Sequence, residues 1–201
     1  MSTIYSLKKP YKEKSGLVIL KGNICPNGAV VRASSIKISM LEFEGPAKLF
    51  DSDLAATKAV QEGEIAEGEV IVIRYQGPSG GPGMNEIMST PLTLIANHLD
   101  DSVALITDGR FSGFNRGPII GHISPEAARG GVLALIEEGD IIHVDIEDRI
   151  LEVKISNAEI ERRRSNWTMP DLEENRGYLN AYSKLALPAE KGGVLDIDFP
   201  R

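Results

Sequence analysis

Val70-Ile71-Val72-Ile73-Arg74-Tyr75-Gln76-Gly77-Pro78-Ser79-Gly80-Gly81-Pro82-Gly83-Met84-Asn85-Glu86 opens on four β-branched apolar residues and runs into a loop crowded with glycine and proline. Side chains branched at Cβ are stiff and suit a pleated strand. The run is continuous rather than alternating, which predicts a strand covered on both faces. Similar runs at Leu17–Leu20, Ala29–Val31, Val103–Ile106 and Val132–Ile136 predict further buried strands of one sheet.

Later the period changes. Ile142, Val144 and Ile146 alternate with polar residues, Glu147 to Arg149 supply a turn, and Leu151, Val153 and Ile155 alternate again, as expected of a hairpin with one wet face. Helices are marked by their caps: Ser52 before Asp53–Glu62 with Gly63 closing, Thr90 before Pro91 and an apolar stretch to Leu99, and the capping box Ser156/Glu159 opening a helix through Arg164. Tyr178, Tyr182 and Leu185 share a helical face, so the C-terminal tail is expected to dock on something. The reading divides the chain into an arm or linker over 1–16, a mixed α/β domain over 17–167 and a helical tail over 168–201.

With 201 residues, 42% of them hydrophobic, the chain has enough apolar side chains for one sizeable core. A net charge of −7 and no basic run longer than Arg162-Arg163-Arg164 argue against nucleic-acid binding. Cys25 is the single cysteine, so an intramolecular disulfide is impossible and one thiolate cannot anchor an iron–sulfur cluster. No apolar stretch approaches the roughly 20 residues that span a bilayer, and a cytoplasmic location without membrane contact is the expectation.

Three stretches can carry chemistry. In Gly77–Glu86 the glycines let the backbone approach a ligand while two prolines hold the loop stiff, which suits presenting amide N–H groups or placing Glu86; a tight surface turn is the plain alternative. It is no phosphate loop, because no Gly-Lys-Ser/Thr follows. Thr107–Gly113 sits where another buried strand runs out, and Ser112 reads either as a nucleophile or proton acceptor, given a base or metal nearby, or as a turn residue capping a backbone amide. Without a Gly-x-Ser-x-Gly elbow it is not a hydrolase serine. In Gly121–Ala128, Ser124 and Pro125 look like the start of a short helix able to face an anion. His122 reads more simply as a hydrogen-bonded core residue than as a ligand, with His98 and His143 weaker still. Cys25 reads as a small packed residue in a turn, and Glu42 and Glu44 as a solvated strand edge leading into a turn at Gly45-Pro46.

Taken in order, Gly22–Val30, Phe43–Ala47, Gly77–Met84, Asp108–Gly113 and Gly121–Ala128 resemble the signatures of the dihydroxy-acid dehydratase and phosphogluconate dehydratase family, and specifically its C-terminal domain. The resemblance implies a swivelling β/β/α domain, a barrel-like mixed sheet flanked by short helices. It also implies a hydro-lyase that turns a 2,3-dihydroxy acid into a 2-oxo acid, most similar to the branched-chain amino-acid enzyme, with sugar-acid dehydratases as the alternative. By the same resemblance Glu86 is a ligand to Mg2+, Ser112 the base acting as alkoxide, and Gly81, Gly83, Arg110, Gly113 and His122 belong to the substrate-binding loops. The iron–sulfur cluster belongs to an N-terminal dehydratase domain, fused or a separate subunit, and Cys25 matches no cluster position.

The partners implied are that domain, a small hydroxy-acid substrate and further copies of the chain. Asn85, Phe114 and Asn115 depart from the family pattern, at flanks that help set its substrates. Two other readings compete: the small subunit of an aconitase-like isomerase, whose recognition motifs are missing, and a non-catalytic module that binds a small acid at Gly80–Gly83.

Overall fold

The computed structural model describes residues 5, 6, 8, 9, 16–171 and 177–197; the N-terminal arm expected over 1–16 lies largely outside them. The described residues form ten strands: β1 (Val18–Leu20), β2 (Gly28–Val31), β3 (Glu42–Phe50), β4 (Val70–Ile73), β5 (Glu86–Ile87), β6 (Ala104–Thr107), β7 (Arg110–Phe111), β8 (Ile119–Ser124), β9 (Ile141–Asp145) and β10 (Ile150–Val153). Four α-helices accompany them: α1 (Asp53–Gln61), α2 (Ser89–Ala96), α3 (Asn157–Asn166) and α4 (Gly177–Leu185).

Eight strands make one mixed sheet in the order β1-β2-β8-β6-β4-β3-β9-β10. The middle four, β8, β6, β4 and β3, are mutually parallel, and an antiparallel hairpin is added at each edge. The two edges meet through a bridge between Lys21 and Ile150, so the sheet closes into a barrel. Closure removes the exposed edges that an open sheet would leave unpaired. The chain is a mixed α/β barrel with short helices, as its sequence implies.

Alternation along β4 explains its unbroken apolar run. Val70 and Val72 point into the barrel with Leu20, Val31, Ile106, Val144 and Leu151, whereas Ile71 and Ile73 point outward into a second apolar layer with Ala56, Val60, Leu94 and Leu105. Helices α1 and α2 cover that outer layer, so neither face of β4 meets water. The β9–β10 hairpin has only one buried face, and its burial alternates accordingly. Ser52 and Ser156 cap α1 and α3 as read, each accepting an amide N–H three residues on.

Four local expectations fail, each for a physical reason. The run Val132–Ile136 is a buried 3-10 turn (Val132–Leu135), since full burial makes any backbone apolar. Glu42–Phe50 is a single strand running through Gly45-Pro46 rather than an edge before a turn. There β3 changes partner, from β9 up to Pro46 to β4 from Ala47, so the missing proline N–H falls where the ladder changes hands. Gly45 is required there because a Cβ would lie 2.0 Å from the Gly68 carbonyl oxygen. Thr90 is inside α2 rather than at its cap; the Asp53 carboxylate of α1 caps it instead, accepting N–H from Ser89 and Thr90 at 3.1 and 3.0 Å. Ser124 ends β8, a cis peptide joins it to Pro125, and only the single 3-10 turn Ala127–Arg129 follows, so the helix start expected at Ser124-Pro125 as an anion site does not form.

Candidate active site at the carboxyl ends of the parallel strands

Strands β4 and β6 are parallel neighbours in register, with Ile73 opposite Thr107. Both glycine-rich stretches therefore leave the barrel at the same end, and β8, parallel to β6, delivers the third stretch there too. In parallel sheets this end is where loops gather around a ligand. Beyond the barrel rim the first two stretches pair again as β5 and β7, which sets Glu86 opposite Arg110 and Ile87 opposite Phe111. Ser112 follows directly. Glu86 on β5 and Ser112, the residue after β7, are 26 positions apart in sequence and are brought to one small ribbon.

Each predicted residue has a definite setting. Glu86 is exposed, and its carboxylate has no hydrogen-bond or ion-pair partner among the described residues. Arg110, its neighbour across the ribbon, is engaged elsewhere, with its guanidinium donating to the Met84 and Gly83 carbonyls. Arg110 therefore ties the glycine loop to β7, and Gly83, at φ +90°, supplies the turn that makes this possible. Ser112 is buried, and its Oγ accepts the Phe114 amide N–H at 3.2 Å. The turn-capping reading of Ser112 is thus realised, and it bears on the chemical one, because an N–H donated to an oxygen favours its charged form. No described side chain is within hydrogen-bond reach of Oγ to act as its base.

Gly113 is open on its Cβ side, and Phe114 beyond it is 88% exposed. His122 is half-buried at φ +56°, its ring edge-on to Phe111 with centroids 6.2 Å apart. Burial, and then the charge of Arg110, push its imidazole below the usual histidine range, so the ring is neutral at pH 7. Tyr75, Met84 and His122 all adopt positive φ without being glycine, which concentrates backbone strain around this ribbon.

The floor of the site contains two carboxylates, Asp108 and Glu126, that no sequence motif singled out. Asp108, fully buried, accepts N–H from Gln76 and Ala127, each at 2.8 Å, and so pins the first and third stretches to the second. Burial, reinforced by the charge of Glu126, pushes its carboxyl up to about 7. Glu126 accepts N–H from Ser79 at 2.9 Å and Gly80 at 3.0 Å, with Arg129 3.6 Å from its other oxygen. Gly77 is needed for this approach, since a Cβ would fall 2.5 Å from Glu126 Oε2. Gly81 folds its own N–H back onto the Gly77 carbonyl. The amides of Ser79, Gly80 and Gly81 are thus consumed within the protein, and what the loop presents outward is Glu86.

The C-terminal tail closes the back of this floor. Ser183 of α4 donates to the Ser79 carbonyl, Arg129 donates to Ser79 Oγ and to the Ala186 carbonyl, and Ser124 donates to Glu190. Tyr182 bonds the Gly193 carbonyl while Tyr178 stays exposed, so the tail docks on the chain's own site loops. Cys25 is packed in its turn as read, and burial raises its thiol to about 12, so it is inert as a nucleophile or ligand. His98 and His143 lie elsewhere, the first exposed beyond α2 and the second on β9 beside Glu42 and Glu152.

Glu86 tests well as a ligand for a hard cation, because an unpaired, exposed carboxylate supplies the oxygen donor such ions select. Among the described residues no group of three or more His, Cys, Asp or Glu could hold a metal by itself. A cation at Glu86 would need further ligands from outside these residues. An α/β barrel that gathers one free carboxylate and one amide-bonded serine hydroxyl on a ribbon open to the outside has the form of an enzyme domain completed by something else.

Comparison with known proteins agrees. Residues 2–193 match the family described as dihydroxy-acid/6-phosphogluconate dehydratase C-terminal, and the chain belongs to that family. It is 50% identical over 195 residues to the dihydroxy-acid dehydratase of Thermodesulfovibrio yellowstonii, covering 97% of this chain and 36% of that protein. It is 51% identical to that of Methanococcus aeolicus over 96% of this chain and 35% of the relative, and 50% identical to that of Geobacter sulfurreducens over 97% and 35%. The chain spans about a third of the length of these relatives. Among the described residues no helix is long and apolar enough to cross a membrane.

Proposed function

We propose that this chain supplies the C-terminal part of a hydro-lyase active site that removes water from a 2,3-dihydroxy acid to give a 2-oxo acid, in branched-chain amino-acid biosynthesis. The observation that supports the reading is the β5–β7 ribbon, which carries Glu86 on one strand and leads into Ser112 from the other, beyond the carboxyl ends of β4 and β6. The relatives named dihydroxy-acid dehydratase support the choice of substrate class over a sugar acid. An N-terminal region, fused or separate, contributes an iron–sulfur cluster, and Glu86 contributes a carboxylate oxygen to a shared Mg2+.

When bound, that metal centre supplies Lewis acidity at the leaving hydroxyl and at the acid's own oxygens. This chain's residues do the rest. Ser112 Oγ takes the proton from C2, held in line by the Phe114 amide, which stabilises the anionic oxygen before transfer. That proton, passed on from Ser112, and the C3 hydroxyl depart together as one water, and the enol left behind becomes the 2-oxo acid. A serine hydroxyl is too weak an acid to ionise alone at neutral pH, so the chain is inactive by itself. His122 and Phe111, edge to face, brace the ribbon next to Ser112 in the chain. The site faces outward, and the chain assembles further with copies of itself once the N-terminal region is in place.

Joining this chain to a cluster-loaded N-terminal region from a relative should restore dehydration of a branched 2,3-dihydroxy acid in preference to an aldonate. Ser112→Ala should then lower turnover by about a thousandfold or more, the scale of losing a proton-transfer group. Undiminished turnover in that variant removes the serine from the chemistry.

A further inference from the structure

Beside the Ser112 loop lies a pocket of about 470 Å3, walled by Arg32, Lys37, Gly113, Phe114, Asn115 and Arg116 among others. It begins one residue past Ser112. Its lining contains three cations and no acid. Lys37 is paired with Asp101, but neither Arg32 nor Arg116 has a carboxylate partner among the described residues.

The polar groups at its base are unsatisfied. Arg32 donates one Nη to the Asn115 carbonyl, while its Nε–H is buried with no partner; Asn115 is itself only 4% exposed, and its Nδ2 is also buried and unbonded. Buried unpaired donors are rare in folded proteins, and two on residues that line one pocket, with the Arg32 side chain bonded to the Asn115 backbone, ask for an acceptor there. An arginine stays charged when buried, so an acceptor that also carries negative charge satisfies it best. The planar fork of a guanidinium fits a carboxylate, and an amide N–H adjacent to it completes the pair of donors such a group takes.

We infer that this pocket is a carboxylate-binding subsite in which Arg32 and Asn115 receive the acid, with Arg116 contributing long-range attraction. The inference rests on the proposed function only for the source of the carboxylate. Its source is either the acid group of a hydroxy-acid ligand or an acidic side chain of the N-terminal region.

Glycolate titrated into the isotope-labelled chain tests it. The Arg32 Nε–H and Asn115 side-chain amide resonances should shift saturably, chloride at equal ionic strength should not reproduce the shift, and Arg32→Gln should weaken glycolate binding about tenfold or more. Should Arg32→Gln unfold, Arg116→Ala, at an exposed position, should still weaken binding severalfold by removing its attraction. Adding the N-terminal region then separates the sources. Shifts appearing without glycolate, and blocking it, assign the pocket to an acidic side chain of that region; glycolate shifts that persist assign it to the free acid. Absence of any shift at Arg32 and Asn115 in both arms overturns the subsite, whatever the Ser112→Ala result.

Discussion

The floor and the mouth of the site are built from the same residue types and treated in opposite ways. At the floor, both oxygens of Asp108 and of Glu126 have partners, and those partners are backbone amides of other loops. At the mouth, Glu86 has no partner, Ser112 has only an amide, and two donors of Arg32 and Asn115 have none. A buried charge that is fully bonded rigidifies what it touches, whereas a free one is open to meet something else. The difference separates residues that shape the site from residues that act in it, although the fold gathers both kinds at one end of the barrel.

Breaking the floor should be the costlier change. Glu126→Ala strands the Ser79 and Gly80 amides and Arg129 in a buried place, so a loss of about 3 kcal/mol in unfolding free energy is expected, measured by denaturant titration. A change under about 0.5 kcal/mol would mean that the loop holds itself. The linkage of Asp108 to pH is spread over several pH units and has an unusual sign. Its carboxyl is raised from 3.8 to about 7 in the folded chain, so on raising the pH the unfolded chain loses this proton first. The stability tied to protonated Asp108 is therefore full below about pH 4 and is lost as pH climbs through about 7, a fall of at most about 4 kcal/mol. Thermal melts of wild type and Asp108→Asn between these limits check it: the difference between the two should change with pH, and parallel curves would refute it.

The barrel was largely legible in the sequence. Val70–Ile73 and the hairpin alternation around Glu147–Arg149 carry their periods openly, because burial on two faces or one leaves different patterns. Strand β8 was harder to see, since Gly121 and His122 interrupt its apolar run, and Val132–Leu135 imitates a strand because every side chain there is buried. Of the site, Glu86 and Ser112 stood out through the family resemblance, while the residues alone left Ser112 open between a chemical role and a capped turn. Asp108 and Glu126 left little local signal, for they act on amides 32 and 47 positions away and only the parallel register of β4, β6 and β8 brings them there. A carboxylate directly after a fully buried strand, as Asp108 is, is the one clue that sequence offers.

The separation of mouth from floor is tested most directly by the Mg2+ dependence of the completed enzyme carrying Glu86→Gln. Since Glu86 is exposed and unpaired, its loss should leave stability within about 0.5 kcal/mol of wild type. The Mg2+ concentration needed for half-maximal turnover should rise about tenfold or more, the scale of losing one ligand or its support. An unchanged Mg2+ requirement with a stable, folded protein would contradict the claim that this chain lends a ligand to a metal centre completed from outside it.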